Sequence, residues 1–497
     1  MRLDALMAGL EHVDVHGRGD VDVRGVACDS RRVEPGDAFF ALEGSVTDGS
    51  RFVADAVARG AVAIVADRDL GANGVPVVRV RDARGVLGQA AARLAGDPSH
   101  DLCVVGVTGT NGKTTTTHLL DGIWRAAGRR SGVIGTVAYR FGDERRAAPF
   151  TTPDAPLLQS LLAEMRAARV THVAMEVSSH ALDQQRVAGT SFDAAAFTNL
   201  TRDHLDFHHD LDEYFAAKAR LFTEVLPASR KGDPVAVVNV DEEPGQRLAA
   251  LVRTRVVRVS RTRPADVQVL DASTTLAGTR ATLALGGRRL EVVSPLVGAP
   301  HLENVALAAG LAWALGVEAD VIAAGLAATG PPPGRVEQIA GPGFTVVVDY
   351  AHTPDALARI LEALRPLTPG ALVTVFGCGG DRDRGKRPIM GAAAARWSDR
   401  VVLTSDNPRT EDPERILADI ERGLREAGMV LAQDAHGPGY LVEVDRRCAI
   451  ALALAAARPG DVVVVAGKGH EDYQIVGTER RHLDDREEVR RALETRA

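Results

Sequence analysis

The sequence contains little cysteine and no long hydrophobic run. Its four cysteines lie far apart, without CxxC spacing: Cys28, Cys103, Cys378 and Cys448. We therefore expect neither a disulfide scaffold nor a structural zinc site. The longest uninterrupted apolar stretch covers 305–317, which is shorter than the ~18 residues that a membrane helix requires. No apolar core follows Met1 and Arg2, so no signal peptide is predicted. These absences predict a reduced, cytoplasmic protein that is not embedded in a membrane.

Lysine is also scarce, because only five of the 59 basic residues are lysines and the rest are arginines. The five are Lys113, Lys218, Lys231, Lys386 and Lys468. GC-rich codon usage explains the bias as a whole, and it makes each remaining lysine informative. Lysine can act as a compact charge or react as a neutral amine, which arginine cannot. Acidic residues number 66, and the net charge of −7 argues against a broad surface for nucleic acid.

The length of 497 residues predicts about three domains. Residues 1–98 predict a small N-terminal α/β domain. Residues 99–332 predict a central domain with a mostly parallel sheet, in which the alternating pattern of 255–296 indicates a small antiparallel patch. Three consecutive prolines in 330–334 predict a stiff linker. Residues 333–497 then repeat the strand and helix alternation of a doubly wound, Rossmann-like α/β domain.

The segment 108–115 reads Thr-Gly-Thr-Asn-Gly-Lys-Thr-Thr and lies between a predicted strand and a predicted helix. This is the context of a phosphate-binding loop. Its glycines let backbone N–H groups turn toward phosphates, and the start of the helix adds partial positive charge. Lys113 can reach the terminal phosphates, and the Thr114 hydroxyl can bind Mg²⁺. Val107 stands where the usual spacing has glycine, so the alternative is a glycine-rich turn with an incidental lysine.

Two further segments place polar side chains on loops of the predicted central sheet. Met-Glu-Val-Ser-Ser-His at 175–180 ends a predicted strand, where open α/β sheets bind ligands, and Glu176 can complete a Mg²⁺ site beside the phosphates. Asn-Leu-Thr-Arg-Asp-His-Leu-Asp at 199–206 is followed by Ala-Ala-Lys at 216–218. By composition alone, this second cluster is that of a solvated loop.

Together these segments resemble the Mur ligase family, ATP-dependent amide ligases of cell-wall synthesis. The resemblance continues in Asp-Ser-Arg at 29–31, Pro-Gly-Arg-Val-Glu at 333–337 and Asp-Tyr-Ala-His-Thr-Pro at 349–354. Three more motifs resemble the branch that adds 2,6-diaminopimelate to a UDP-muramoyl dipeptide: Gly-Gly-Asp-Arg-Asp at 379–383, Asp-Asn-Pro-Arg at 406–409 and Gly-Lys-Gly-His-Glu at 467–471.

The resemblance implies ATP and Mg²⁺ as cofactors of an amide ligation through an acyl phosphate. The implied ATP contacts are Gly109, Thr110, Asn111, Gly112, Lys113, Thr114, Thr115, Asn304, Arg335 and Asp349. Pro300 and His301 stand where the family usually has Phe-Asn. Two Mg²⁺ ions are implied, one held by Thr114 and Glu176 and the other by His204 and a carbamate (N6-carboxylysine) on Lys218. The implied catalytic residues are Lys113, Lys218 and His204.

The resemblance also implies the contacts to the two other substrates. Those to the UDP-sugar dipeptide are Cys28, Ser30, Ser45, Val46, Thr47, Thr151, Thr152, Ser178, Gln184 and Arg186. Those to diaminopimelate are Arg382, Asp406, Asn407, Pro408, Arg409, Gly467 and Glu471. The Arg409 guanidinium suits the carboxylate at the far end of diaminopimelate through bidentate pairing, and Gly467 and Glu471 suit its ammonium.

Two alternatives stay open from the sequence. A folylpolyglutamate synthase would share the phosphate loop, but it gives no reason for Asp-Ser-Arg at 29–31 or Asp-Asn-Pro-Arg at 406–409. A nucleotide-switched binding protein or P-loop motor would hydrolyse ATP without needing an amine. For the leading interpretation we expect small-molecule substrates, no nucleic-acid partner and a monomer.

Overall fold

The structure is a computed structural model, and it describes residues 1–10, 12–44, 47–71, 74–203 and 207–495. Three predicted site residues lie outside these ranges: Ser45, Val46 and His204. Within the described ranges, no helix is both long and apolar enough to cross a bilayer.

The N-terminal unit is a small sheet covered by helices. Its strands are β1 (His12–His16), β2 (Gly25–Ala27), β3 (Asp37–Phe40), β4 (Ala63–Ala66) and β5 (Val77–Val80). Its helices are α1 (Leu3–Met7), α2 (Val53–Ala58) and α3 (Ala83–Leu94). The strand order is β1-β5-β4-β3-β2, and only the β1–β5 pair is antiparallel. Strands β3 and β4 are buried along their whole length because helices cover both faces.

The central unit carries a larger mixed sheet. Its strands are β6 (Cys103–Thr108), β7 (Ser131–Ile134), β8 (Tyr139–Phe141), β9 (Glu144–Arg146), β10 (His172–Glu176), β11 (Ala194–Phe197), β12 (Val235–Asn239), β13 (Arg255–Ser260), β14 (Val267–Thr275), β15 (Gly278–Leu285) and β16 (Arg288–Ser294). Its helices are α4 (Lys113–Ala126), α5 (Ala155–Ala167), α6 (Ser179–Asp183), α7 (Leu211–Arg220), α8 (Glu243–Leu251), α9 (Ala299–Ala314) and α10 (Ala319–Ala328). The strand order is β16-β15-β14-β13-β12-β11-β6-β10-β7-β8-β9.

Parallel pairing runs through the middle of the central sheet, from β14 to β7. The predicted antiparallel patch over 255–296 is confirmed for β14 to β16, which pair antiparallel at one end of the sheet. It is wrong for Arg255–Ser260, because β13 pairs in parallel with both β12 and β14. The alternating pattern arises because these outer strands bury one face against α9 and α10 and leave the other face in water.

The C-terminal unit is a second doubly wound sheet with a separate hairpin. Its strands are β17 (Glu337–Ala340), β18 (Thr345–Asp349), β19 (Leu372–Phe376), β20 (Arg400–Leu403), β21 (Gly439–Val442), β22 (Val462–Ala466), β23 (Tyr473–Val476) and β24 (Glu479–His482). Its helices are α11 (Pro354–Leu364), α12 (Lys386–Trp397), α13 (Pro413–Glu426), α14 (Arg446–Ala456) and α15 (Asp485–Glu494). The order β17-β18-β22-β19-β20-β21 is parallel except at β17, and β23 pairs with β24 alone. The predicted α/β fold class, with its phosphate-loop and Rossmann-like units, is confirmed.

The carboxyl ends of the parallel strands bring the predicted motifs together. In the central sheet, β6, β10 and β11 are neighbours, and each runs directly into one of the polar segments. In the C-terminal sheet, β18, β19, β20 and β22 end before the loops 350–353, 377–385, 404–412 and 467–472. Ligands bind at these edges of open α/β sheets. The two edges face each other, because the Asn111 amide donates to Asp355 at 3.3 Å and Arg335 donates to the Thr114 hydroxyl at 3.4 Å.

Candidate active site

The phosphate-binding loop joins β6 to α4 with two glycines in left-handed conformations. Gly109 has φ +143° and Gly112 has φ +87°, where a side chain would be strained. A Cβ atom on Gly109 would lie 1.8 Å from the Thr198 hydroxyl, and one on Gly112 would lie 2.2 Å from the Asn304 amide oxygen. The loop is therefore packed so closely between α9 and the segment after β11 that both positions require glycine.

The segment after β11 holds the phosphate-binding loop in shape. The backbone N–H of Thr110 donates to the Asn199 carbonyl, and that of Asn111 donates to the Asn199 side-chain oxygen, both at 2.9 Å. The Thr198 hydroxyl donates to the Asn111 carbonyl at 2.6 Å. These bonds leave the first turn of α4 facing a cavity that adjoins the loop. The free N–H groups of this turn and the helix dipole favour an anion there.

Two lysines converge on this loop from different helices. The Lys113 ammonium donates to the carbonyls of Gly109 and Thr110, and the Lys218 ammonium donates to Gly109, all at 2.9 Å. Lys218 is almost fully buried, with its nitrogen 4.2 Å from the centre of the Tyr214 ring. Burial lowers the pKa of both ammonium groups, and the nearby Lys113 charge helps to bring the pKa of Lys218 well below its usual value. Loss of its proton is thus comparatively easy at Lys218.

Glu176 at the end of β10 faces the first turn of α4. Its buried carboxylate accepts from the Thr114 hydroxyl at 3.0 Å and from the backbone N–H and hydroxyl of Thr136 at 2.9 and 3.0 Å. A carboxylate and a hydroxyl beside a phosphate loop fit Mg²⁺, which binds few protein oxygens and takes the rest from water and phosphate. Among the described residues, no three His, Cys, Asp or Glu side chains gather into a fuller metal cluster, and His204 lies outside them.

A narrow cavity of about 100 Å³ lies between the phosphate loop and the C-terminal unit. The predicted nucleotide contacts Asn304, Arg335 and Asp349 all line it. The Arg335 guanidinium stacks 4.4 Å from the centre of the Tyr350 ring, which fixes the arginine beside Thr114. The cavity is therefore built from both α/β units.

His301, one of the two residues that stand where the family usually has Phe-Asn, lines the same narrow cavity. Burial and the nearby Arg335 charge lower its pKa to about 4, so the ring is neutral at physiological pH. Its Nδ1 atom has no hydrogen-bond partner among the described residues. The departure from the family's Phe-Asn at this position therefore places a neutral, buried imidazole ring on the wall of the cavity.

A second cavity, of about 390 Å³, opens on the other side of the phosphate loop. The predicted substrate contacts Thr151, Thr152, Ser178 and Arg186 line it beside Lys113 and Glu176. The Thr152 hydroxyl donates to the Glu176 carbonyl at 2.9 Å and accepts from the Ser178 N–H at 3.0 Å. These bonds tie the threonine pair to the end of the strand that carries Glu176.

Phe150 lies directly before the Thr151–Thr152 pair and is not among the predicted contacts. The structure places its half-exposed ring 5.0 Å from the Arg186 guanidinium, on the walls of two adjoining cavities. The second of these, about 310 Å³, extends to Cys28 in the N-terminal unit and includes Gln184. Ser30 and Thr47, although described, do not line that cavity. The single signal for Phe150 in the sequence was its place directly before the threonine pair.

A fourth cavity, of about 410 Å³, lies at the carboxyl edge of the C-terminal sheet. Six of the seven predicted amine contacts line it: Arg382, Asp406, Asn407, Arg409, Gly467 and Glu471. The seventh, Pro408, does not line the cavity, and its carbonyl packs so closely against Gly380 that a Cβ there would lie 1.9 Å away. Arg409 has φ +52°, a strained conformation for arginine, and its guanidinium donates to the Gly380 carbonyl at 2.7 Å.

Tyr350 and His352, which follow β18, line three of these cavities, those of about 100, 390 and 410 Å³. The Tyr350 hydroxyl donates to Glu471 at 3.3 Å, and the His352 carbonyl accepts from the Lys386 ammonium at 2.8 Å. Neither residue was among the predicted contacts, although both belong to the Asp-Tyr-Ala-His-Thr-Pro motif at 349–354. The cavities of about 100, 390 and 410 Å³ therefore meet at one short loop.

Comparison with known proteins places this geometry in a family. The description "Mur ligase family, catalytic domain" matches residues 22–94, "Mur ligase middle domain" matches 107–312, and "Mur ligase, glutamate ligase domain" matches 334–469. A protein of Gloeobacter violaceus named UDP-N-acetylmuramoyl-L-alanyl-D-glutamate–2,6-diaminopimelate ligase is 48% identical, over 100% of this chain and 99% of its own length. The chain belongs to the Mur ligase family.

Two other Mur ligases agree along the whole chain. A protein of the same name from Geobacter metallireducens is 44% identical over 99% of this chain and 98% of its own. A solved structure titled as that ligase superposes with a TM-score of 0.72 at 34% identity, over 100% of this chain and 99% of its own. The resemblance stated from the motifs is confirmed, and this Mur ligase is an ATP-dependent, amide-bond-forming enzyme.

Proposed function

We propose that this Mur ligase joins diaminopimelate to the D-glutamate carboxylate of UDP-N-acetylmuramoyl-L-alanyl-D-glutamate in the synthesis of peptidoglycan precursors. The observation that carries the proposal is the meeting of three cavities at Tyr350 and His352. A ligation of this kind needs ATP, an acid and an amine within reach of one another. The full-length relatives named as diaminopimelate ligases support this assignment over the folylpolyglutamate alternative.

The first step would take place beside the phosphate-binding loop. A carboxylate oxygen of the D-glutamate attacks the γ-phosphorus of ATP, which forms an acyl phosphate and releases ADP. Two anions must approach each other in this step, so Lys113 and the first turn of α4 stabilise the charge that develops on the phosphate oxygens. Mg²⁺, held by Thr114 and Glu176, would supply further charge neutralisation when bound.

Lys218 is assigned a carbamate: the ammonium first loses a proton, and the nitrogen of the neutral amine then bonds to the carbon of CO₂ and releases a second proton to solvent. Its deep burial and strongly lowered pKa support that chemistry, because only the unprotonated amine can add CO₂. The addition converts a buried cation beside Lys113 into an anion. His204 and the carbamate would then hold a second Mg²⁺.

The acid substrate would lie along the cavity between the N-terminal and central units. Thr152, Ser178 and Arg186 are held in place by bonds to one another or to the end of β10, so their positions do not depend on the ligand. The cationic Arg186 suits an acidic dipeptide, and the adjoining cavity at Cys28 leaves room for the sugar nucleotide.

The amine substrate would lie in the cavity of the C-terminal unit. The α-amine attacks the acyl carbon, the phosphate leaves, and the amine loses a proton as the amide forms. Arg409 can pair with the carboxylate at the far end of diaminopimelate, and Glu471 can accept from the neighbouring ammonium. Lysine has no second carboxylate, so it would leave Arg409 unpaired and bind less well.

The finer properties of this Mur ligase are part of the same proposal. A precursor ligase of this kind would act in the cytoplasm on small-molecule substrates. We propose that it works as a monomer.

The deciding experiment measures ADP release with the UDP-muramoyl dipeptide and three amine conditions in parallel: diaminopimelate, lysine and no amine. We expect rapid ADP release with diaminopimelate, much slower release with lysine and little without amine. ADP release that is equally fast without amine would favour the nucleotide-switch alternative and overturn the proposal.

A further inference from the structure

Lys468 lies in the loop after β22, between two predicted amine contacts, and neither the motifs nor the cavities give it a role. It is fully buried. Its ammonium lies 3.1 Å from a carboxylate oxygen of Asp406, and it donates to the Asn407 side-chain oxygen at 3.1 Å and to the Tyr473 carbonyl at 2.7 Å. The ammonium therefore makes two hydrogen bonds, to Asn407 and Tyr473, and the Asp406 carboxylate beside it neutralises its charge.

The contacts of Lys468 decide which way the Asn407 amide points. The Asn407 oxygen accepts from Lys468 and from the backbone N–H of Ile475 at 2.9 Å. Its nitrogen must then point the other way, where it donates to Glu471 at 3.1 Å. The other Glu471 oxygen accepts from Tyr350. Lys468 thus sets the orientation of the Glu471 carboxylate through one intervening amide.

The same ammonium anchors the hairpin of β23 and β24 to the loop that carries Arg409. Lys468 holds the hairpin at its first residue, Tyr473. Two residues further on, the Ile475 carbonyl accepts from the Arg409 N–H at 3.1 Å, and the Gly477 N–H donates to the Arg409 carbonyl at 2.7 Å. These bonds hold Arg409 in its left-handed conformation, which is strained for arginine and persists only where the surroundings enforce it.

We propose that Lys468 is a positioning residue for the amine substrate, which orients Glu471 through Asn407 and fixes the backbone of Arg409 through the hairpin. The inference rests on the proposed function and deepens it. Arginine is the usual cation of this chain, but its planar fork does not match three oxygens around one nitrogen. A compact ammonium does.

The test is Lys468→Met, which keeps the length of the side chain and removes its donors. We expect the KM for diaminopimelate to rise about 10–100-fold, from the loss of charge-assisted hydrogen bonds. The KM values for ATP and the UDP-dipeptide should stay within about twofold, because the phosphate loop is untouched. The matched control is Lys231→Met, since Lys231 also neutralises a carboxylate, that of Asp193, but far from the amine cavity.

A double-mutant cycle separates positioning from general destabilisation. If Lys468 acts through Glu471, then Lys468→Met should add little to the rise in KM that Glu471→Gln already causes. Fully additive losses, or an equal rise in all three KM values, would overturn the proposal. Should Lys468→Met fail to fold because Asp406 is left unpaired, Lys468→Arg keeps a charge beside Asp406 and should still raise the KM for diaminopimelate alone, because its planar fork does not match the oxygens around one nitrogen.

Failure of this inference can be told apart from failure of the proposed function. If the unmodified enzyme releases ADP equally with and without amine, the proposed function fails. If the unmodified enzyme prefers diaminopimelate and Lys468→Met keeps its KM for that amine, only the positioning role fails.

Discussion

The ammonium groups of Lys113 and Lys218 donate to the same acceptor, the carbonyl oxygen of Gly109, each at 2.9 Å. Two cations that share one neutral oxygen repel each other, and the repulsion is strong because Lys218 is fully buried and Lys113 is partly buried. The arrangement is relieved if Lys113 turns toward a phosphate or if Lys218 loses its proton. Both changes would accompany the chemistry proposed for this site.

Lys113→Ala should leave the fold intact and lower kcat by about 10²–10³, because the variant loses a charge at the γ-phosphate. ADP release at saturating ATP is the measurement, with circular dichroism to check folding. Lys231→Ala, which removes a lysine from the same unit but from the far end of β6, serves as the control. Equal turnover by Lys113→Ala and the parent enzyme would contradict the assignment of the phosphate loop.

Lys218→Ala should lose most activity, and Lys218→Arg should not restore it, because arginine keeps its positive charge and cannot add CO₂. Acetate or formate should partly rescue Lys218→Ala by occupying the vacated anion site. The direct measurement is ¹³C NMR after incubation with labelled bicarbonate. A carbamate signal should appear in the parent enzyme and be missing from Lys218→Ala. Its absence from the parent enzyme in the presence of ATP and Mg²⁺ would contradict the proposal.

Arg409→Ala should weaken the use of diaminopimelate more than that of lysine, by about 2–4 kcal/mol in kcat/KM, the cost of a lost charge-assisted pair. The two amines are compared in the ADP-release assay. Arg415→Ala is the matched control, because Arg415 lies in the next helix with most of its side chain in water. Equal losses for both amines would mean that Arg409 has a structural role and does not select the substrate.

Glu303 predicts a specific dependence of stability on pH. Burial raises its pKa to about 7, although Arg261 and Arg359 lie 3.4 and 3.8 Å away and lower it. The folded state therefore holds the Glu303 proton between pH 4.5 and about 7, where the unfolded chain has lost it. This group contributes stability below that window, and the contribution disappears as the pH rises through it.

Glu303→Gln removes this titration. The Tm of the variant should therefore rise relative to that of the parent as the pH increases from 5 to about 7.5. Thermal unfolding at several pH values is the measurement. Glu242→Gln is the control, because Glu242 also pairs with Arg359 but is more exposed. A Tm difference for Glu303→Gln that does not change with pH would contradict the prediction.

Much of this architecture could be predicted from local patterns. Buried strands such as Cys103–Thr108 appear as apolar runs, and the glycines and lysine that follow predict a phosphate loop with its helix. The pairing directions within 255–296 were harder, because a half-buried strand has the same alternation whether its neighbour runs parallel or antiparallel. Pairing of this kind depends on contacts between distant residues.

The residues predicted from the sequence are those whose own motif indicates a chemical role, such as Glu176 and Arg409. Tyr350 and His352 were missed as site residues, because their importance comes from the position where three cavities meet. Lys468 was missed as well, because it acts through the orientation of Asn407. Such roles arise from tertiary packing and leave no signature at a single position.

The 330–334 segment separates the phosphate loop and Glu176 from Arg409, Glu471 and the hairpin that supports them. Amine preference is thus encoded in one continuous stretch of the chain, downstream of the machinery that activates the acid. A crossover between two related genes within this proline-rich segment would transplant the preference for one amine into a ligase for another. The recombinant would need to preserve only the contacts across the interface, such as Arg359 with Glu242. The 330–334 segment therefore lets the part of the chain that activates the acid and the part that selects the amine diversify at different rates.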